Sequence, residues 1–179
     1  NELDMGNGDT LRDFMIWASS EYPAQRKVLI IWNHGSGWKK VAEDKNSHLD
    51  VPEIREALEE YRTITGEPQL TMLGFDACLM GMFEIAYELK DQAEMIHGSE
   101  AYEPLEGWTY NHLLYKLNED TTNEQFAQNV VNDYIESYRN GSVYTSYSVT
   151  ASVVDTTKLD NIWNELDNLS SEINSILPV

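Results

Sequence analysis

Apolar residues recur along the chain in two patterns that predict its secondary structure. Apolar runs at 28–32, 70–75 and 95–98 are typical of strands buried in a parallel sheet, and an alternating stretch at 147–154 predicts a fourth strand. Helical spacing of apolar residues predicts helices over 11–18, 54–61, 79–89, 126–138 and 159–176. Strands separated by helices imply right-handed crossovers. The pattern therefore predicts an α/β fold, with a mostly parallel central sheet between two layers of helices.

Local signals predict where some of these elements begin and end. Asp50 followed by Glu53 predicts a capping box, Thr10 is the predicted cap of the first helix, and Gly141 is predicted to end the fourth helix. Residues 39–50 are polar and aperiodic, which predicts an exposed loop. No repeat, low-complexity tract or Pro- and Gly-rich linker interrupts the pattern, so the whole chain is predicted to be a single domain.

Charge narrows the classes of partner. The chain of 179 residues has 31 acidic and 12 basic side chains, a formal net charge of −19. Nucleic-acid binding relies on clustered Lys and Arg, so no nucleic-acid partner is expected. An acidic surface attracts cations, which favours a basic peptide or protein as substrate. No apolar run approaches the roughly 20 residues that span a bilayer, and the single cysteine, Cys78, excludes an intrachain disulfide.

The ends of two predicted strands carry residues suited to acyl transfer. His34 and Gly35 follow the first buried strand, and Cys78 follows the second. If these two strands are neighbours in the sheet, their carboxyl ends meet at one edge and bring His34 and Cys78 together there. An imidazolium and a helix N-terminus would both favour the Cys78 thiolate. The backbone N–H groups of Gly35 and Cys78 can form an oxyanion hole.

Each of these residues also has a structural interpretation. A lone cysteine is most often an inert small hydrophobe, and a lone histidine at a strand end is most often a satisfied structural residue. Their joint occurrence at successive strand ends favours the catalytic interpretation. Zinc binding is disfavoured, because His48, His97 and His112 have no ligand-like spacing to one another or to Cys78.

The strings LIIWNHGSGW and LGFDACLMGMFEIAYEL resemble the clostripain family of cysteine peptidases, which belongs to the caspase-like clan. PAQRK before the first string and GSEAYEPLEGWTYN after the second extend the resemblance over most of the chain. The resemblance implies a caspase-like fold, His34 as general acid and base, and Cys78 as nucleophile. It also implies hydrolysis of peptide bonds after Arg or Lys.

The resemblance further implies a pocket for a basic side chain. Asp76 matches the family's aspartate two residues before the nucleophile, although a strand-end aspartate can also serve only to accept backbone N–H bonds. A second acidic residue is expected in the loop after the third strand, where Glu100, Glu103 and Glu106 all lie. The sequence does not decide between them. A guanidinium or ammonium in a partly dry pocket requires such a charge partner.

Family members are often proenzymes cleaved after a basic residue beyond the histidine, which makes Lys39, Lys40 and Lys45 the candidate processing sites. They begin with a further strand and helix before the region that starts here at Asn1. The resemblance therefore implies that this chain is a fragment or one chain of a processed molecule, and that it associates with an N-terminal segment. It also implies an extracellular or cell-surface location in a bacterium.

No metal site or other cofactor is predicted. Calcium dependence occurs in the family, but Asp4, Asn7 and Asp9 miss the spacing of an EF-hand loop. Two other functions fit the same residues: a catalytically inactive binding or surface module of the same fold, and an amidase or transpeptidase-like acyl transferase that uses the same Cys-His dyad.

Overall fold

A computed structural model describes residues 2–139, 142–144 and 147–177 of the chain. The strands are β1 Val28–Trp32, β2 Val41–Asp44, β3 Ser47–Leu49, β4 Leu70–Asp76, β5 Ala93–Gly98 and β6 Ser152–Asp155. The helices are α1 Gly8–Glu21, α2 Val51–Thr65, α3 Phe83–Glu88, α4 Tyr110–Tyr115, α5 Asn123–Ser137 and α6 Leu159–Ile176. The main sheet has the order β1-β4-β5-β6, in which β1, β4 and β5 are parallel and β6 is antiparallel to β5. The predicted α/β class with a mostly parallel sheet is confirmed.

Side chains alternate between the two faces of β4, which divides the core in two. Leu73 and Phe75 belong to a buried cluster formed with α1, α2 and α3 on one face of the sheet. Met72 belongs to a second cluster, formed with α4 and α5 on the other face. By the same alternation, Gly74 and Asp76 also face the α4 and α5 layer. The sheet therefore presents the Asp76 side chain to the elements that follow β5.

Residues 39–50 form a hairpin of β2 and β3, and the prediction of an exposed loop was wrong. Val41 pairs with Leu49 across the hairpin, and both side chains are buried. The turn passes through Lys45, whose φ is +50°. Apolar residues are too sparse here to give a strand pattern, but Val41, Ala42 and Leu49 join the same core cluster as Met15 of α1. Tertiary burial therefore determines this hairpin.

The segment after Cys78 was predicted to be helical throughout, which was wrong for its first residues. Leu79 has a φ of +63°, and α3 begins only at Phe83. A side chain built on Gly81 would lie 2.8 Å from the backbone of Ser99, because the loops after β4 and β5 are in backbone contact. That contact requires a non-helical chain. Cys78 therefore does not lie at a helix N-terminus, and the predicted helix-dipole effect on its thiolate does not apply.

Helix ends were predicted with mixed success. The capping box of Asp50 and Glu53 at the start of α2 is confirmed, with both reciprocal hydrogen bonds present. The cap of α1 is Asn7, which accepts a hydrogen bond from the backbone N–H of Asp9, so the prediction of Thr10 was wrong. Helix α5 ends at Ser137, and Gly141 lies outside the described residues.

The remaining differences concern short elements and the last helix. The fourth predicted strand is confined to β6, and α4 was not predicted because six residues are too few to establish a helical period. Helix α6 is present as predicted, and most of its apolar face is exposed. None of the helices in the described residues is long and apolar enough to cross a membrane.

His97 of β5 is buried against an aromatic side chain from the segment that follows this strand. Its imidazole is fully shielded and meets the indole of Trp108 edge-on, with ring centroids 4.4 Å apart. Neither ring nitrogen has a hydrogen-bond partner among the described residues. Burial lowers the pKa of His97 from its usual value of 6.5 to about 4. The histidine is therefore a neutral packing element at neutral pH.

This burial predicts a pH-dependent stability. The unfolded chain binds a proton at His97 near pH 6.5 and the folded chain only near pH 4, so acidification between these values favours unfolding. We expect the native chain to lose about 3 kcal/mol more unfolding free energy than His97→Phe between pH 7 and pH 4. Urea denaturation across that range measures the difference.

The exposed histidine His112 provides the control. His112→Gln should show the same pH dependence as the native chain. A pH dependence that is unchanged in His97→Phe would contradict the assignment of a depressed pKa to this histidine.

Candidate active site

The parallel pairing of β1 and β4 brings His34 and Cys78 to the same edge of the sheet. Trp32, the last residue of β1, is in register with Asp76, the last residue of β4. A cavity of about 150 Å³ opens there. It is lined by residues from three strand-end loops: Trp32, Asn33, His34, Asp76, Ala77, Cys78, Glu103, Pro104, Leu105 and Gly107. His34 is exposed, Cys78 is half-buried and Asp76 is buried.

Gly35 allows the histidine loop to touch the backbone of the cysteine. A side chain built on Gly35 would lie 2.2 Å from the carbonyl oxygen of Cys78 and 3.1 Å from its amide nitrogen. Only glycine tolerates this approach. Within the described residues, the backbone N–H groups of Gly35 and Cys78 donate no hydrogen bond to the protein. Two adjacent unused donors are the feature that an oxyanion hole requires.

Backbone hydrogen bonds from the next loop hold the cysteine loop in place. The N–H of Leu79 donates to the carbonyl of Ala101 (3.1 Å), and the N–H of Gly81 donates to the carbonyl of Ser99 (2.8 Å). Thr150 supports this second loop, since its hydroxyl lies 3.0 Å from that of Ser99. The position of Cys78 is therefore fixed by the segment that begins at the end of β5.

The sulfur of Cys78 is contacted by that same segment. The backbone N–H of Glu103 lies 3.1 Å from the Cys78 Sγ and donates to it. The Cys78 thiol in turn donates to the carbonyl oxygen of Glu103 (3.7 Å). On the histidine side, the backbone N–H of His34 donates to the side-chain oxygen of Asn33 (2.6 Å).

Asp76 is a buried carboxylate with two protein donors on one oxygen. Its Oδ2 accepts hydrogen bonds from the hydroxyl of Tyr110 (2.6 Å) and the backbone N–H of Trp108 (3.2 Å). Burial, together with the Asp76 carboxylate, raises the pKa of Tyr110, so this hydroxyl stays protonated and remains a donor. Gly107 lies against the carboxylate with a φ of +60°, and a side chain there would come within 2.7 Å of Asp76 Oδ2.

Glu103 shares the cavity with Asp76 but lacks comparable partners. Both of its carboxyl oxygens are shielded from solvent, and neither has a hydrogen-bond partner in the described residues. Burial, and secondly the negative charge of Asp76, raise the pKa of Glu103 to about 10. The cavity therefore holds one donor-supported carboxylate and one carboxylic acid that is neutral at pH 7.

The other acidic candidates lie elsewhere. Glu100 lines a separate surface groove with Gly81 and Phe83, and is not among the residues that line the cavity beside Cys78. Glu106 is exposed and likewise does not line this cavity. Of the three glutamates between which the sequence did not decide, the structure brings Glu103 to Asp76 and Cys78.

The three candidate processing lysines lie around the β2–β3 hairpin. Lys39 is exposed ahead of β2, Lys40 pairs with Glu43 (2.5 Å), and Lys45 pairs with Glu2 (2.5 Å) at the turn. Cleavage after any of them stays a prediction.

The side chains of Asp4, Asn7 and Asp9 make contacts within the protein, and Asp9 pairs with Arg12 (2.6 Å). Asp4 accepts from the backbone N–H of Gly6 (3.0 Å), and Asn7 caps α1. Within residues 2–139, 142–144 and 147–177, no group of three or more His, Cys, Asp or Glu side chains is placed to hold a metal ion.

Sequence reasoning did not find the two donors that hold Asp76. Trp108 donates through its backbone, which leaves no compositional signal, and Tyr110 lies at the start of the unpredicted α4. The only available signal was the presence of aromatic residues in the loop that follows Glu103.

A cysteine and a histidine on loops at the ends of neighbouring parallel strands, within an α/β/α sandwich, are the arrangement of caspase-like cysteine peptidases. The sequence profile of the clostripain family matches residues 1–178. The chain belongs to the clostripain family.

Individual relatives agree with this assignment. Clostripain of Hathewaya histolytica is 26% identical in an alignment 216 positions long, gaps included, which spans 97% of this chain and 40% of that protein. A secreted cysteine protease from Bacteroides thetaiotaomicron, iotapain, has a similar structure, with a TM-score of 0.76 at 17% identity over 93% of this chain and 49% of its own.

A secreted protease of the same bacterium, solved with an irreversible peptide inhibitor, gives a TM-score of 0.68 at 24% identity, over 86% of this chain and 46% of its own. At these identities the structures establish a shared fold. This chain spans less than half the length of each of these relatives.

The contact between Gly107 and Asp76 predicts an unequal effect of two glycine substitutions. Gly107 and Gly66 both have positive φ, but a side chain on Gly66 meets nothing within 4 Å. Gly66→Ala should cost about 1 kcal/mol of unfolding free energy, the backbone effect alone. Gly107→Ala should cost about 3 kcal/mol, because the methyl group also displaces the loop from Asp76. Denaturant titration of both variants measures the difference, and equal losses would contradict the close packing on Asp76.

Proposed function

We propose that this chain carries the catalytic site of a cysteine endopeptidase that cleaves after Arg or Lys. One observation supports this most strongly: a single cavity is lined by Cys78, His34 and the acidic pair of Asp76 and Glu103. The first two residues supply the chemistry of acyl transfer, and the acidic pair supplies a site for a cation beside it.

In the proposed mechanism, the Cys78 thiolate attacks the carbonyl carbon of the scissile bond. The negative charge on the carbonyl oxygen is stabilised by the backbone N–H groups of Gly35 and Cys78. The C–N bond breaks as the His34 imidazolium donates its proton to the leaving amine, which leaves an acyl-enzyme. A water molecule then attacks the acyl carbon and gives a proton to His34. Breakage of the C–S bond releases the acid and regenerates the thiolate and imidazolium.

The acidic pair gives the proposed mechanism its specificity. Asp76 is two residues before the nucleophile, and Glu103 is the residue whose backbone N–H contacts the Cys78 sulfur. A cationic side chain held by this pair would therefore place the following peptide bond near Cys78. A carboxylate in a poorly solvated cavity pairs strongly with a cation, because little water competes for the charge.

The partner of the β1 edge is part of the same proposal. Among the described residues, β1 pairs only with β4 in the main sheet. An apolar groove lies beside the other edge of β1 on each face of the sheet. Leu11 and Phe14 line one groove, and Leu113 and Phe126 line the other. An unpaired strand edge between apolar grooves is a site for a further strand, and we propose that an N-terminal segment occupies it.

The secreted relatives favour a location outside the cell.

Peptide cleavage tests the proposed activity. The chain should hydrolyse fluorogenic peptides that end in Arg or Lys, and should leave matched Asp and Leu peptides largely intact. Cys78→Ala should be inactive, and iodoacetamide should block activity by modifying Cys78 faster than it modifies a free thiol of ordinary pKa.

The same assay separates the alternatives. Cleavage of none of the peptides, together with ordinary alkylation of Cys78, would contradict the peptidase assignment and favour an inactive binding module. Transfer of the acyl group to an added amine, without net hydrolysis, would favour the acyl transferase.

Asp76→Asn tests the origin of the specificity. The substitution keeps the size of the side chain and removes its charge, so kcat/KM for Arg peptides should fall about 100-fold. Glu100→Gln is the matched control, because it also replaces a carboxylate by an amide, and Glu100 lies in the loop after β5 without lining the cavity; it should change kcat/KM less than about twofold. Equal effects of the two substitutions would contradict the role of Asp76.

A further inference from the structure

We propose that a cationic side chain enters this cavity only as Glu103 loses a proton, so that each basic ligand releases one proton to solvent. This inference rests on the Arg or Lys specificity proposed above. It concerns how the acidic pair accepts its ligand.

The two acids have unequal surroundings in the unliganded cavity. Asp76 is stabilised as a carboxylate by the Tyr110 hydroxyl and the Trp108 backbone N–H. Both carboxyl oxygens of Glu103 are shielded and accept no hydrogen bond in the described part of the chain. Two carboxylates in one poorly solvated cavity cannot both ionise without a cation. The proton therefore resides on Glu103, in agreement with its raised pKa of about 10.

The other titratable groups around Glu103 do not supply that cation. Asp76 and Cys78 act on it from the end of β4, and Tyr110, Tyr134 and Tyr138 from α4 and the end of α5. Burial raises the pKa of all three tyrosines, so they stay neutral. No Lys or Arg is among the described residues that line the cavity, and His34 is its one basic side chain.

A permanently charged ligand reverses this balance. A guanidinium between Asp76 and Glu103 pairs with the carboxyl oxygens of both residues. This lowers the pKa of Glu103, and its proton is released to solvent. The exchange is balanced: neutral Glu103 and a cationic ligand give an ionised Glu103 paired with that ligand, plus one free proton. The ligand therefore binds more tightly as the pH rises, because the free-energy cost of removing this proton falls.

Calorimetry with n-propylguanidine tests the proposal, because the guanidinium is the only charged or titratable group of this ligand. Titration at pH 8 into phosphate and Tris buffers, which differ in ionisation enthalpy, should give about one proton released per ligand bound. The apparent Kd should fall about tenfold per pH unit between pH 7 and pH 9. n-Propylurea, the uncharged analogue, should release no proton.

Glu103→Gln mimics the protonated acid and should bind n-propylguanidine more weakly, with no proton release and no pH dependence in this range. Glu100→Gln should behave as the native chain does. In the native chain labelled with ¹³C at the glutamate carboxyl carbons, NMR at pH 8 should detect one protonated glutamate that ionises when the ligand binds.

The outcomes separate the two proposals. Binding without proton release by the native chain would overturn the proton coupling and leave the Arg or Lys specificity in place. Proton release that persists in Glu103→Gln would assign the proton to another group and also overturn it. Failure of n-propylguanidine to bind at all would overturn both.

Discussion

The site depends on one buried charge, the carboxylate of Asp76 at the end of β4. A buried carboxylate is costly unless donors reach it. Here the donors are a backbone N–H and a tyrosine hydroxyl from the segment after β5, which must therefore fold back over β4. The same segment places the backbone N–H of Glu103 on the Cys78 sulfur. The proposed nucleophile and the proposed cation site are thus positioned by a single loop.

Close packing beneath this loop leaves little freedom in how it lies. A side chain on Gly74 would come within 2.7 Å of the Trp108 ring, and Trp108 in turn packs on His97. The Tyr138 hydroxyl donates to the carbonyl of Gly107 (2.8 Å). Side chains of the second core cluster therefore support the residues that hold Asp76. Interiors packed at this density transmit displacements, so core substitutions here should alter the site as well as stability.

Sequence patterns were sufficient for the strands of the main sheet and for the placement of His34 and Cys78 just beyond two strand ends. Two continuous apolar runs predicted parallel strands, and the observed register of β1 with β4 brings the two loops together. The patterns failed where tertiary contacts override local preference. Val41 and Leu49 form a hairpin because they are buried, and Leu79 leaves the helical region because backbone contacts with the next loop require it.

The acidic pair illustrates the same limit. The sequence alone left Glu100, Glu103 and Glu106 equivalent, because one loop contains all three and none has a distinguishing pattern. The path of the loop distinguishes them, since it turns Glu103 inward and leaves Glu106 exposed. Such a path is set by hydrogen bonds to Asp76 and Cys78 that connect residues far apart in sequence.

In the proposed mechanism, Cys78 reacts with a substrate whose basic side chain is held by the adjacent acidic pair. Covalent labelling tests it most directly, with a peptide chloromethyl ketone that ends in arginine and its uncharged analogue that ends in citrulline, followed by mass spectrometry. We expect one adduct, on Cys78, formed about 100-fold faster by the arginine reagent. Equal rates for the two reagents, or an adduct on another residue, would contradict it.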